Sequence, residues 1–131
     1  MGKPIVGFAN GVFDCFHDGH RHFLRECVMN CDRLVVAINT DAMAMRLKDG
    51  IEDGWVTRAE NVGQDLRFEC DEIASFSSEK GLLKLIKRYK PDVIFKGEDY
   101  YGRPITGGAL ARIHWVARHP GYSSTIERAK R

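Results

Sequence analysis

Three short runs of almost unbroken apolar residues constrain this chain more than anything else in it: Ile5-Val6-Gly7-Phe8-Ala9, Leu34-Val35-Val36-Ala37-Ile38 and Val93-Ile94-Phe95. A strand with one face in water alternates apolar and polar residues, whereas a strand covered on both faces need not. Between these runs the apolar residues recur at helical spacing. Phe23, Leu24, Cys27, Val28 and Cys31 share one helical face, and Leu82, Leu83, Leu85, Ile86 and Tyr89 share another. Buried strands alternating with amphipathic helices imply an α/β fold: a single doubly wound, five-stranded parallel sheet with right-handed crossovers.

The pattern predicts strands over 4–9, 34–38, 71–76 and 92–95, and a fifth within 109–117. It predicts helices over 18–30, 42–47, 58–68 and 79–89, a short helix also within 109–117, and a short terminal helix in 121–131. Asn39-Thr40-Asp41 supplies an N-cap for the second helix. Thr57, with Glu60 three residues later, has capping-box spacing for the third. Ser77 and Ser78 precede the fourth, and Pro91 stops it. The polar segment 48–54 reads as a mobile loop. Residues 96–108 form a second loop, too rich in specific polar groups to be only a linker. A length of 131 residues suits one domain over 1–131, and no internal repeat divides it.

Composition narrows the function classes. At 44% hydrophobic and 29% charged residues the chain should be globular and soluble. A net charge of +2 with dispersed basic residues gives no basis for nucleic-acid binding, and Lys84, Lys87, Arg88 and Lys90 read as a solvated helix face. No run of 18 apolar residues suggests a membrane span, and MGKPIVGF lacks the pattern of a signal peptide, so a cytoplasmic protein without a membrane partner is expected. Cys15, Cys27, Cys31 and Cys70 form no CxxC pair and read as buried free thiols. No metal-ligating set is expected.

In doubly wound sheets ligands bind outside the carboxyl ends of the strands. The polar motifs of this chain fall there, in segments 10–20, 39–48, 96–104 and 118–125. The first belongs to NGVFDCFHDGHRHFL at 10–24. It places His17 and His20, with Gly19 between them, at a helix start, where backbone N–H groups and the helix dipole favour an anion. Ser123-Ser124-Thr125 precedes a second helix start. GxGxxG, GxxxxGK[ST] and a Ser-His-Asp elbow are all absent. Two phosphate-friendly helix starts on one sheet edge can grip a triphosphate. Chemistry at its α-phosphate needs positioned donors and an in-line acceptor, and no covalent nucleophile.

NGVFDCFHDGHRHFL resembles the GxFDxxHxGHxxxL signature of the HxGH-motif nucleotidyltransferase superfamily (cytidylyltransferase-like), and SSTI near the end resembles that superfamily's second signature, ISTT or SST. RLVVAINTDAMAMRLK and KPDVIFKGEDY resemble the adenylyltransferase domain of bacterial ADP-heptose synthase. RHPGYSST matches in spacing the RTEGIST signature of glycerol-3-phosphate and choline-phosphate cytidylyltransferases. The resemblance covers nearly the whole chain. It implies a Rossmann-like nucleotidyltransferase fold and an enzyme that moves a nucleotidyl group from ATP or CTP to a phosphorylated sugar or polyol, releasing pyrophosphate. The heptose-like middle favours ATP and a sugar phosphate. RHPGYSST favours CTP and glycerol phosphate but covers fewer residues. An alternative of another class is a catalytically idle nucleotide-binding module, against which the intact HxGH counts.

The resemblance also implies roles. His17 and His20 would contact the triphosphate and stabilise the transition state, with Gly19 inside the same helix opening. Asn10, Gly11, Phe13 and Asp14 would shape the turn and set backbone N–H groups near the α-phosphate. Lys48 would approach the phosphates from its loop, and Arg58 would match an arginine of the following helix. Lys96, Gly97, Asp99 and Tyr100 would lie beside the nucleotide. Arg118 would match the arginine of RTEGIST, with Ser123, Ser124 and the catalytic Thr125 at the second phosphate-binding helix start. Mg²⁺ would accompany the triphosphate, and the chain would be a homodimer. Trp55 and Trp115 read as packing groups. Segment 49–57, DGIEDGWVT, departs from the family's Pro-containing pattern.

Overall fold

The computed structural model describes residues 2–67 and 70–118. The elements are β1 (Val6–Gly11), α1 (Asp18–Met29), β2 (Arg33–Asn39), α2 (Asp41–Leu47), α3 (Trp55–Leu66), β3 (Glu72–Phe76), α4 (Glu79–Tyr89), β4 (Val93–Gly97) and β5 (Arg112–Val116), with one 3₁₀ turn at Glu98–Tyr100. The strands form a single parallel sheet in the order β3-β2-β1-β4-β5. Parallel strands require crossovers, and the helices supply them on both faces. Ala9, Val36 and Phe95 meet Leu24 and Cys27 of α1 and Val62 and Leu66 of α3 on one face. Phe8, Ala37 and Ile94 meet Met43 of α2 and Leu82 and Ile86 of α4 on the other. This two-sided burial is the reason the central strands lack polar alternation.

β1 runs past the apolar segment, pairing Asn10 with Ala37 and Gly11 with Ile38. By strand alternation, Asn10 and Lys96 follow Phe8 and Ile94 onto the face covered by α2 and α4. The strand order reverses at β1, so the carboxyl ends of β1, β2 and β4 open together into one crevice.

Several sequence expectations are corrected. α3 begins at Trp55 with Gly54 at its N-cap and no side-chain cap bond, so Thr57 lies inside the first turn and Glu60 completes no capping box. The earlier start has a physical cause. The Trp55 indole donates to the Ile38 carbonyl at 2.9 Å, while Asp14 holds residues 52 and 53 and Arg58 holds residue 53. The same bonds anchor the end of segment 48–54 at residues 52 and 53. β4 extends through Lys96 and Gly97, which the sequence pattern assigns to a loop. No helix precedes β5. Residues 106–110 make successive turns instead, and Gly107 adopts φ +79°, a backbone few L-residues tolerate. A Cβ there would stand 2.7 Å from Ile86 Cδ1, so glycine lets this loop lie directly on α4. The expected terminal helix in 121–131 lies outside the described residues.

Ser78 caps α4 by accepting from the Gly81 N–H at 3.0 Å, and Lys90 ends it in the left-handed region at φ 48°. All four cysteines are free. Burial raises the Cys27 and Cys70 thiols and pushes Cys31 up to about 11, which keeps them protonated and unreactive.

Candidate active site

His17 is the N-cap of α1. Its Nδ1 accepts the Gly19 N–H at 2.9 Å, and His20 Nδ1 accepts the His17 N–H at 3.2 Å. The reciprocal pair is a capping box built from two imidazoles instead of the usual Ser and Glu. An imidazole that accepts at Nδ1 carries its proton, when neutral, on Nε2. The cap therefore fixes the tautomer as well as the helix start.

The two rings stack with centroids 4.0 Å apart, and Phe16 stacks on the outer side of His20 at 5.4 Å. Phe13 lies 5.6 Å from the same ring. His17 is buried, and burial is the main cause that lowers His20 to about 3. The positive fields of His17 and Lys48 add to it, and Asp14 opposes it. His20 is thus a neutral donor across the physiological range. The preceding turn is tight enough to hold Phe13 at φ 56° and Cys15 at φ 51°, both in the left-handed region that costs a non-glycine residue about 1–3 kcal/mol.

Two buried residues hold that turn. Asp14 accepts backbone N–H groups from Glu52 at 2.9 Å and Asp53 at 2.9 Å. Arg58 is fully buried and donates to the Val12 carbonyl at 3.0 Å, Asn39 Oδ1 at 3.3 Å, Asp41 Oδ1 at 2.7 Å and the Asp53 carbonyl at 3.0 Å. Residue 53 is held by both groups and residue 52 by Asp14, and the turn after β1 is fixed to the end of β2.

On the opposite sheet face, Lys96 Nζ donates to Asn10 Oδ1 at 3.0 Å and stands 5.4 Å above the Tyr100 ring. Burial lowers the Lys96 amine, and the Glu79 carboxylate acts in the other direction. Lys48 is the C-cap of α2. Arg118 pairs with Asp99 at 3.4 Å, and its N–H donates to Glu98 Oε1 at 3.1 Å.

The two histidines, Asp14, Lys48, Lys96, Tyr100 and Arg118 face one cavity of about 740 Å³. Asn10, Gly11, Phe13, Asp14, His17, Gly19, His20, Lys48, Lys96, Gly97, Asp99, Tyr100 and Arg118 line it, so the described residues that the sequence singled out for the site, Arg58 excepted, are brought together. Ser123, Ser124 and Thr125 lie outside the described residues. Arg58, matched by resemblance to an arginine of the following helix, stands behind the cavity wall and touches the turn, not the cavity. The structure adds lining residues that sequence reasoning missed: Asn39, Glu79, Glu98, Arg103 and Thr106. Glu79 opens α4 directly after Ser78 and reads locally as part of a cap, so only tertiary placement reveals it.

Among the described residues no group of three or more His, Cys, Asp or Glu could hold a metal ion. The cavity's carboxylates are already bonded: Asp14 to two backbone N–H groups, Asp99 to Arg118 and Glu79 to Thr106. The described donors do not fit a protein-built Mg²⁺ cage.

The model of the cytidylyltransferase-like family matches residues 8–129. This chain belongs to that family. It is 37% identical over 131 aligned residues to the bifunctional protein HldE of Granulibacter bethesdensis, covering 92% of this chain and 26% of that protein. It is 33% identical to the HldE of Helicobacter pylori strain 26695, covering 100% of this chain and 29% of that protein. The chain thus spans little more than a quarter of the length of these relatives. Among solved structures, the lipopolysaccharide core biosynthesis protein of Thermoplasma volcanium superposes with a TM-score of 0.72 at 26% identity, covering 89% of this chain and 99% of that one. Family, relatives and fold together make this a nucleotidyltransferase domain similar to one part of HldE. Among the described residues no helix is long and apolar enough to cross a membrane.

Proposed function

We propose that this domain transfers an adenylyl group from ATP to a sugar phosphate and releases pyrophosphate. The observation that carries the reading is the imidazole capping box. It sets two histidines of defined tautomer at a helix N-terminus, in a cavity large enough for a nucleotide and an acceptor. The likeness to HldE along almost all of this chain supports ATP and a sugar phosphate over CTP and glycerol phosphate.

In the reaction an acceptor phosphate oxygen forms a bond to the α-phosphorus. The bond from that phosphorus to the β-bridging oxygen breaks, and pyrophosphate leaves with the electron pair. Charge builds on the α-phosphate oxygens and on the bridging oxygen. His17 and His20 supply Nε2–H donors there, with backbone N–H groups of the α1 start beside them. Lys48 neutralises the outgoing pyrophosphate. Asp99, Tyr100 and Arg118, at the ends of β4 and β5, flank the nucleoside, and Gly97 leaves room for it. Ser123, Ser124 and Thr125 complete the phosphate grip. Lys96 and Asn10 stand where the two substrates meet. Mg²⁺ would be held by the substrate's phosphates and water, since it prefers these to a protein cage, and would supply charge neutralisation there. We assign the chain a homodimeric, cytoplasmic form, which sedimentation velocity and cell fractionation test.

The direct test is pyrophosphate release from ATP or CTP, each with sugar phosphates and with glycerol 3-phosphate. ATP with a sugar phosphate should give the highest kcat/KM. Release only from CTP with glycerol 3-phosphate would replace the reading with the cytidylyl alternative. Nucleotide binding without release from any pair would make the domain an idle module.

A further inference from the structure

The cavity spans both faces of the sheet edge. Its α1 side carries the histidines and the family motif. Its α4 side is walled by Phe76, Leu82 and Ile105, with Glu79 and Thr106 as polar groups among them. From this arrangement we infer that Glu79 is a specificity-determining residue that reads the hydroxyl groups of the acceptor, selecting a polyhydroxylated sugar phosphate. The inference rests on the proposed transfer to a sugar phosphate and adds the residue that recognises its non-reacting end.

Four observations carry it. First, Glu79 is not needed to cap α4, because Ser78 Oγ already takes the Gly81 N–H. Second, Thr106 Oγ1 donates to Glu79 Oε2, which fixes the carboxylate and leaves Oε1 without a hydrogen-bond partner among the described residues. Third, the bond is built into the backbone: Gly107 at φ +79° seats the 103–107 loop on Ile86 of α4, bringing Thr106 beside Glu79. Fourth, Lys96, the cavity amine on which the Glu79 carboxylate acts, is already held by Asn10.

A held carboxylate with an open oxygen accepts hydrogen bonds from hydroxyl groups and repels a second phosphate. The apolar walls suit the carbon face of a sugar. The reacting phosphate then points away from Glu79, towards Lys96, Lys48 and the histidines. The selected ligand is a sugar carrying one phosphate at the reacting end and hydroxyls at the other.

The experiment compares wild type, Glu79→Gln and Thr106→Val, using pyrophosphate release with ATP and a panel of sugar monophosphates, their deoxy analogues and glycerol 3-phosphate. Glu79→Gln should raise the KM for the preferred sugar phosphate about tenfold or more, with the KM for ATP within twofold of wild type. Its deficit should shrink for the deoxy analogue that lacks the hydroxyl Glu79 reads. Thr106→Val should shift the same acceptor KM in the same direction, since it frees the carboxylate without removing it. Far-ultraviolet circular dichroism and the ATP-induced thermal shift establish that both variants are folded. Sugar-phosphate turnover with an unchanged acceptor KM in Glu79→Gln overturns this inference alone. A wild type that binds ATP but turns over no sugar phosphate overturns it together with the proposed function.

Discussion

Two histidines do at the start of α1 what serine and glutamate do at most helix starts, and the exchange has consequences for charge. His20 is held at about 3, against 6.5 for a free imidazole, chiefly by burial. Below pH 6.5 the unfolded chain binds a proton at this residue and the native chain does not. Its neutral state therefore stabilises the fold fully above pH 6.5, and that stability is lost as pH falls towards 3. The slope is at most about 1.4 kcal/mol per pH unit. Urea midpoints of wild type and His20→Gln measured at pH 7.5 and pH 5 should show wild type losing more stability on acidification. Equal losses would mean that His20 protonates freely in the fold. The residue types and spacing of this site were legible in the sequence, because HDGH after an apolar run is a local signal. The reciprocal cap and the fixed tautomers were not, since they depend on ring placement in three dimensions.

At the scale of elements, the turn after β1 is held by a buried arginine and a buried aspartate that both bond the backbone of Asp53. Arg58 bonds segments 12, 39–41 and 53 at once. No local pattern can reveal that role, since an arginine near a helix start with glutamate two residues on looks like a solvated surface. Arg58→Met should destabilise the domain by roughly 1–3 kcal/mol, because it removes the donor from acceptors of three segments, the buried Asn39 among them, as read from the denaturant midpoint at constant m. Arg58→Lys should recover only part of this, since one ammonium cannot span the fork. Asp14→Ala should release the 51–54 segment. Limited proteolysis should then cut there faster than in wild type, while the global midpoint moves less than in Arg58→Met. Cleavage of the wild-type and mutant segments at equal rates would show that Asp14 does not anchor the segment. The misplaced start of α3 has the same origin: Thr57 and Glu60 have the right spacing for a cap, but the Trp55 indole and these two buried groups start the helix three residues earlier.

Over the whole molecule, the parallel sheet turns five separated sequence segments, 10–23, 39–48, 76–82, 96–106 and 116–118, into one site. The strand pattern made that convergence legible, because strand carboxyl ends in a doubly wound sheet share one edge. The acceptor end was not legible, since Glu79 and Thr106 are 27 residues apart and meet only because Gly107 brings its loop onto α4. A ligand gripped by the whole edge should stabilise the whole fold. ATP at one hundred times its Kd should add roughly 2.7 kcal/mol, about 10 °C in Tm for a domain of this size. CTP at the same concentration should give the smaller shift.

The central claim is that the paired imidazoles stabilise the transition state of nucleotidyl transfer, beyond binding the nucleotide. The measurement that tests it is pyrophosphate release from ATP and a sugar phosphate by wild type and His17→Ala, with the ATP-induced thermal shift recorded on the same samples. The account predicts that kcat falls about 10²–10³-fold, while most of the ATP-induced shift survives. Wild-type kcat in His17→Ala would contradict it.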